Sequence, residues 1–147
     1  MPLQPLATYR ADLLEPVQNP GRAHAEAINL APAAYAKGTA LGELTATPGT
    51  FAPYKAGNVD GTGVAKGLLV YTCVATADPN GGVANIALGA QDFGHSSKTA
   101  EMYYTGVFAL EDITGLDAAG VANLAGHVFR GALAAGGPGS GVGKIVF

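Results

Sequence analysis

From about Ala25 onward, short apolar segments alternate with glycine- and proline-rich turn signals, at the spacing of an all-β sandwich or barrel. That rhythm constrains the fold most, because each segment is long enough for a strand and too short for most helices. No apolar stretch approaches the ~20 residues needed to span a bilayer, and the N-terminus lacks the basic region and apolar run of a signal peptide. A soluble protein made in the cytoplasm is expected.

Residues 39–47 form one strand, closed by Pro48-Gly49, which suits the central positions of a type II turn. Residues 51–54 return as its partner, with Pro53 best placed on an edge. Residues 55–58 and then Asp60-Gly61-Thr62-Gly63 are further turn punctuation. The strongest strand spans residues 68–76, with Leu68, Val70 and Val74 on one face and Leu69, Tyr71 and Cys73 on the other; burial on both faces marks a central strand. Asp78-Pro79-Asn80-Gly81-Gly82 turns the chain into residues 83–88, where Ala84, Ile86 and Leu88 share a face, predicting a hairpin. A polar stretch, 91–101, precedes another strand at 102–110, in which Gly106 is a candidate bulge.

Helical periodicity occurs once. Val121, Leu124, Ala125, Val128 and Ala132 recur at three- and four-residue spacing, with Asp117 placed to cap the N-terminus. Gly120, Gly126 and Gly131 each weaken such a helix by about 1 kcal/mol relative to Ala, so packing must support it. A Gly-rich linker at 136–141 then leads to Lys144-Ile145-Val146-Phe147, which reads as a final edge strand. At the other end, residues 1–23 carry Pro2, Pro5, Pro16 and Pro20, each removing a backbone donor, and read as an extended arm. Leu13 and Leu14 are its sizeable apolar pair and would be poorly buried without further cover. The expected organisation is an arm, 1–23, followed by a single β-rich domain, 24–147.

Function classes narrow by charge and chemistry. Charged residues are 13% of the 147, against roughly 25% in typical soluble domains. The surface is therefore largely neutral and suited to protein contacts. A net charge of −3 without a basic cluster disfavours nucleic-acid binding. Cys73, the single cysteine, sits in an apolar run and reads as a core thiol. His24, His95 and His127 are far apart and form no metal-binding pair, and the adjacent Glu111-Asp112 would point to opposite faces of a strand. The tail 138–145 resembles a phosphate loop only loosely, with Pro138 in place of the first Gly and Ile145 in place of Ser or Thr. Gly61-Thr62-Gly63-Val64-Ala65-Lys66-Gly67 misses the dinucleotide fingerprint and leads into a strand. No catalytic constellation, metal or cofactor is expected, and the chain reads as a structural protein rather than an enzyme.

Gly38-Thr39-Ala40-Leu41-Gly42-Glu43-Leu44-Thr45, then Phe51-Ala52-Pro53-Tyr54, then residues 60–69 resemble the lambda-type head decoration family of tailed bacteriophages. The resemblance continues through residues 74–77, Gly81-Gly82, residues 83–88, Thr105-Gly106-Val107-Phe108 and the late helix, covering roughly 25–133. It implies a small β-barrel or sandwich-like decoration fold with one short C-terminal helix and an extended N-terminal arm. It also implies a homotrimer on the outer surface of the expanded head, at three-fold and quasi-three-fold sites, bridging major capsid protein subunits. Nucleic acid and membrane are not partners in this reading. The arm, with Tyr9, Arg10, Leu13, Leu14 and Val17, is the expected capsid-binding element, mobile when free and ordered on the shell. A ligand- or carbohydrate-binding β-barrel is the alternative, although six Tyr, five Phe and no Trp make a thin stacking platform.

Overall fold

A computed structural model of the chain describes residues 13–17, 23–88, 97–125, 127–129 and 143–147. The protein is mainly β with one short α-helix. In chain order the strands are β1 (His24–Leu30), β2 (Ala33–Tyr35), β3 (Ala40–Glu43), β4 (Thr50–Pro53), β5 (Gly67–Leu69), β6 (Cys73–Thr76), β7 (Asn85–Ala87), β8 (Ala100–Thr105), β9 (Val107–Ala109), β10 (His127–Phe129) and β11 (Lys144–Val146). The helix, α1, is Ala118–Asn123.

Five strands pair in a closed ring, in the order β1-β4-β3-β5-β8, with β8 returning to β1. All these pairings are antiparallel except β1 with β4. Two three-stranded sheets flank the ring, one ordered β2-β6-β7 and the other β10-β11-β9. Side chains that alternate along ring strands serve two separate cores. Leu41 and Leu69 pack with Ile28, Leu30, Tyr35, Cys73 and Ile86 toward the first sheet. Their neighbours Ala40 and Leu68 pack with Phe108, Leu110, Leu116 and Ile145 toward the second.

The β3–β4 hairpin follows the expected turn: Thr50 N–H donates to Thr47 O at 3.0 Å, and Gly49 takes φ +84°, as a type II turn needs. Pro53 ends β4, paired to Leu41 of β3, beyond the point where β1 contacts β4. The β6–β7 hairpin also forms as expected. Within 83–88, Ala84 and Ile86 are buried and Leu88 is exposed.

Four expectations are corrected. The single strand 68–76 is two strands in two sheets. Leu68 and Leu69 are fully buried in the ring. Val70 N–H donates to Glu101 O at 3.0 Å while Val70 O accepts from Leu14 N–H at 2.7 Å, and the chain then crosses to β6. Gly106 is more than a bulge, for at φ +150° it passes the chain from β8 in the ring to β9 in another sheet. The helix is capped by Asp117 as expected, but it stops at Asn123. Ala125 takes φ +54°, and residues 127–129 form β10, so Val128 is on a strand. Finally, the tail strand β11 is not an edge but the middle of its sheet, with Ile145 fully buried. Of the Gly-rich linker, 136–141 lies outside the described residues.

The N-terminal segment brings a fifth correction. Leu14 is 1% exposed and belongs to the second core, so it is not an uncovered arm residue. Leu13 bridges Tyr71, and Val17 N–H donates to Val107 O at 2.8 Å. Residues 13–17 thus lie along the body, close to where the chain crosses from β5 to β6 and from β8 to β9.

Candidate functional site

The region that most resembles a contact surface lies at the β3–β4 turn and the neighbouring loop, 55–66. The loop is braced from within. Asp60 Oδ1 accepts from both the N–H and the hydroxyl of Thr62, and Thr62 Oγ1 accepts from Asn58 Nδ2 at 2.9 Å. Thr62 itself is only 2% exposed. Lys55 N–H donates to Thr62 O at 3.1 Å, and Thr45 N–H donates to Asp60 O at 2.9 Å, which fastens the loop to the β3–β4 turn. A Cβ at Gly63 would stand 2.2 Å from Asn58 O, and one at Gly42 would stand 2.7 Å from Thr62 Cα. Only glycine permits backbones to approach so closely.

From this fixed loop Val59 projects with 99% exposure, and Val64, nearby, is also exposed. A shallow depression of about 370 Å³, lined in part by Leu44, Pro48, Gly61 and Val64, joins the loop to the turn. On the other side of the same turn lies a larger cleft of about 660 Å³. Leu30, Pro32, Leu44, Pro48, Val83 and Ala84 contribute to its walls, and no aromatic ring lines it among the described residues.

Three carboxylates border these surfaces, and each is engaged by the protein's own donors. Glu43 Oε1 accepts from Gly49 N–H at 2.8 Å. The Thr62 hydroxyl, and then its N–H, hold Asp60 below the usual carboxylate range. Asp78 is lowered by the Lys98 ammonium and by Asn80 N–H. The acids cap turns, and the surface between them mixes Val59, Val64, Leu44 and Pro48 with the exposed Lys55 and Lys66. A backbone fixed in this way reduces what association costs in conformational entropy.

The residues singled out from sequence fall in different places. Tyr9 and Arg10 lie outside the described residues, Leu13 is half-buried, Leu14 is core, and Val17 is exposed. Cys73 is buried, and burial pushes its thiol up to about 11, far from a nucleophile's range. The exposed His24 stacks on Tyr104 with ring centroids 6.1 Å apart. His95 lies outside the described residues, and His127 stands on β10. Among the described residues no cluster of three His, Cys, Asp or Glu is arranged to hold a metal ion, and no helix is long and apolar enough to cross a membrane. Sequence reading missed Val59, whose signal was a lone valine inside Gly57-Asn58-Val59-Asp60-Gly61, where each neighbour is a turn former.

Comparison with family models, with curated proteins and with solved structures yields no match for this chain.

Proposed function

We propose that this chain is a structural virion protein that binds the outside of an expanded phage head as a trimer. It sits at three-fold and quasi-three-fold positions and stabilises the major capsid protein lattice. In this reading the five-stranded ring is the barrel of a decoration-protein fold, and the chain carries out no chemistry. The observation that carries the proposal is the braced loop at one end of the molecule, where Val59 stands fully exposed while Asn58, Asp60 and Thr62 hold one another in place. Such a surface suits a partner met by apolar contact rather than by charge. Because the protein would bind assembled shell and not free subunits, it would stabilise the shell by mass action.

The test is co-sedimentation of the purified protein with expanded heads prepared without it, followed by reconstruction of the decorated particle. Binding at three-fold positions is expected, weakened in Val59→Asp without loss of the folded state. Absence of the wild-type protein from the pellet would overturn the reading. The 660 Å³ cleft supports a second reading, a small-ligand module, since its size suits a small molecule. Among the described residues no ring lines it, which is against a sugar, since sugars stack on aromatic faces.

A further inference from the structure

The geometry points to Asn80 as a site of spontaneous covalent modification, at which the side-chain amide is lost and the backbone is partly rerouted through isoaspartate. Among the six asparagines of the chain, Asn80 alone precedes glycine. Asn29, Asn58, Asn85 and Asn123 precede Leu, Val, Ile and Leu, whose side chains crowd the following nitrogen. Asn19 precedes Pro20, which has no N–H to lose.

The local structure supplies both access and control. Asn80 is exposed at the tip of the β6–β7 hairpin. Gly81 takes φ +83°, and the space where its side chain would stand is open. Gly81 N–H donates to Asp78 O at 2.9 Å, and Asn80 N–H donates to Asp78 Oδ1 at 2.9 Å. The attacking nitrogen is therefore held by one hydrogen bond at a solvent-exposed turn, where local opening is cheap. Once that bond opens, the deprotonated Gly81 nitrogen attacks Asn80 Cγ five atoms around a forming ring. The new C–N bond replaces the Cγ–Nδ2 bond, and the amide leaves as ammonia with a proton drawn from water. Water then opens the succinimide at either carbonyl, giving aspartate or isoaspartate, with no change in oxidation state.

Asp60-Gly61 provides an internal contrast. There the carboxylate is engaged by Thr62, and a Cβ on Gly61 would lie 2.2 Å from Glu43 O, so the turn is packed rather than open. At the hairpin tip, conversion would add a second carboxylate beside Asp78. It would compete for Lys98, whose ammonium joins the tip to the segment entering β8 and also donates to Val83 O at 3.4 Å. Isoaspartate would in addition lengthen the backbone within the turn that Gly81 N–H closes.

The experiment is to age the purified full chain at neutral and mildly alkaline pH and to map every asparagine by mass spectrometry with isoaspartate detection. Conversion should begin at Asn80, yield both aspartate and isoaspartate, and run faster at the alkaline pH. The aged wild type should melt below aged Asn80→Gln, and Asn80→Ser serves as a second unreactive variant. Conversion that begins at another asparagine, isoaspartate that forms at Asp60 instead, or an intact Asn80 after the unfolded chain has converted would each overturn the inference.

Discussion

Replacing Leu14 with alanine asks whether residues 13–17 belong to the body. Leu14 is 1% exposed and packs in the second core, while its backbone N–H donates to Val70 O and Leu13 bridges Tyr71. Those two backbone ties hold the segment in place, so the space left by the missing methyl groups cannot easily collapse. A buried Leu→Ala change of this kind costs about 2–5 kcal/mol. For a chain of this size each kcal/mol lowers Tm by roughly 2–4 °C, which predicts a fall of about 4–20 °C. Val17, 47% exposed three residues later, is the control: its alanine variant should stay within about 0.5 kcal/mol of wild type. Urea unfolding followed by far-UV circular dichroism would read both, with the slope confirming that the same transition is compared. A Leu14→Ala protein whose midpoint matches that of Val17→Ala would refute the docking of this segment, and with it the view that the N-terminal region is partly core.

Removing residues 144–147 should unfold the second sheet, because it takes out the middle strand and the fully buried Ile145; a folded truncation with an unchanged melt would contradict the strand order. Gly106→Ala should destabilise by about 1–3 kcal/mol through overpacking, since its Cβ would meet the Phe108 ring at 2.5 Å at a φ of +150°, and thermal melts would report it. The helix cap predicts pH dependence on both sides. Asp117 is held below its ordinary value by Gly120 N–H and then by the Tyr54 hydroxyl, so its contribution is present above the ordinary carboxylate pKa and lost as pH falls through the lowered folded value. Tyr54, pushed up to about 12 by burial and then by its bond to Asp117, contributes stability present below its ordinary value of 10.0 and lost as pH rises from there through about 12. Tyr54→Phe should shrink both losses in a series of urea melts across pH, and an unchanged profile would count against the pairing.

What could be read in advance was what neighbouring residues decide among themselves. Pro48-Gly49 fixes a turn because proline presets one φ and glycine accepts the positive one that follows. In Asp78-Pro79-Asn80-Gly81 proline again presets the second position, while Gly81 closes the turn and takes the positive φ that leads out of it, and Asp117 caps α1 because its carboxylate reaches Gly120 N–H, three residues on. The misreadings all turn on distant partners. Nothing within residues 68–76 announces that Leu14 and Glu101 will grip Val70 and divide the run. The spacing of Val121, Leu124 and Val128 suits a helix, yet pairing with β11 takes 127–129 into a sheet. Two leucines in a proline-rich segment look too few to order it, because the groove that receives Leu14 is built from Phe108, Leu68 and Ile145, far along the chain. The exposed apolar end was illegible for a related reason: whether a valine in a turn is covered depends on which loops fold over it.

Ring closure has a mechanical consequence. A strand at the rim of an open sheet can peel away by breaking one ladder, and such fraying is the usual low-energy route of local opening. Here β1 and β8, roughly seventy-five residues apart in sequence, complete the circuit, so each of the five strands is bonded on two sides. Bringing those two strands together carries the entropy of a long loop, which makes closure a late step in folding compared with the local β3–β4 hairpin. Once closed, the ring can yield to a pull on any one strand only by giving up two ladders at once, and under sustained load it should behave as a clasp that opens all together rather than one that unzips.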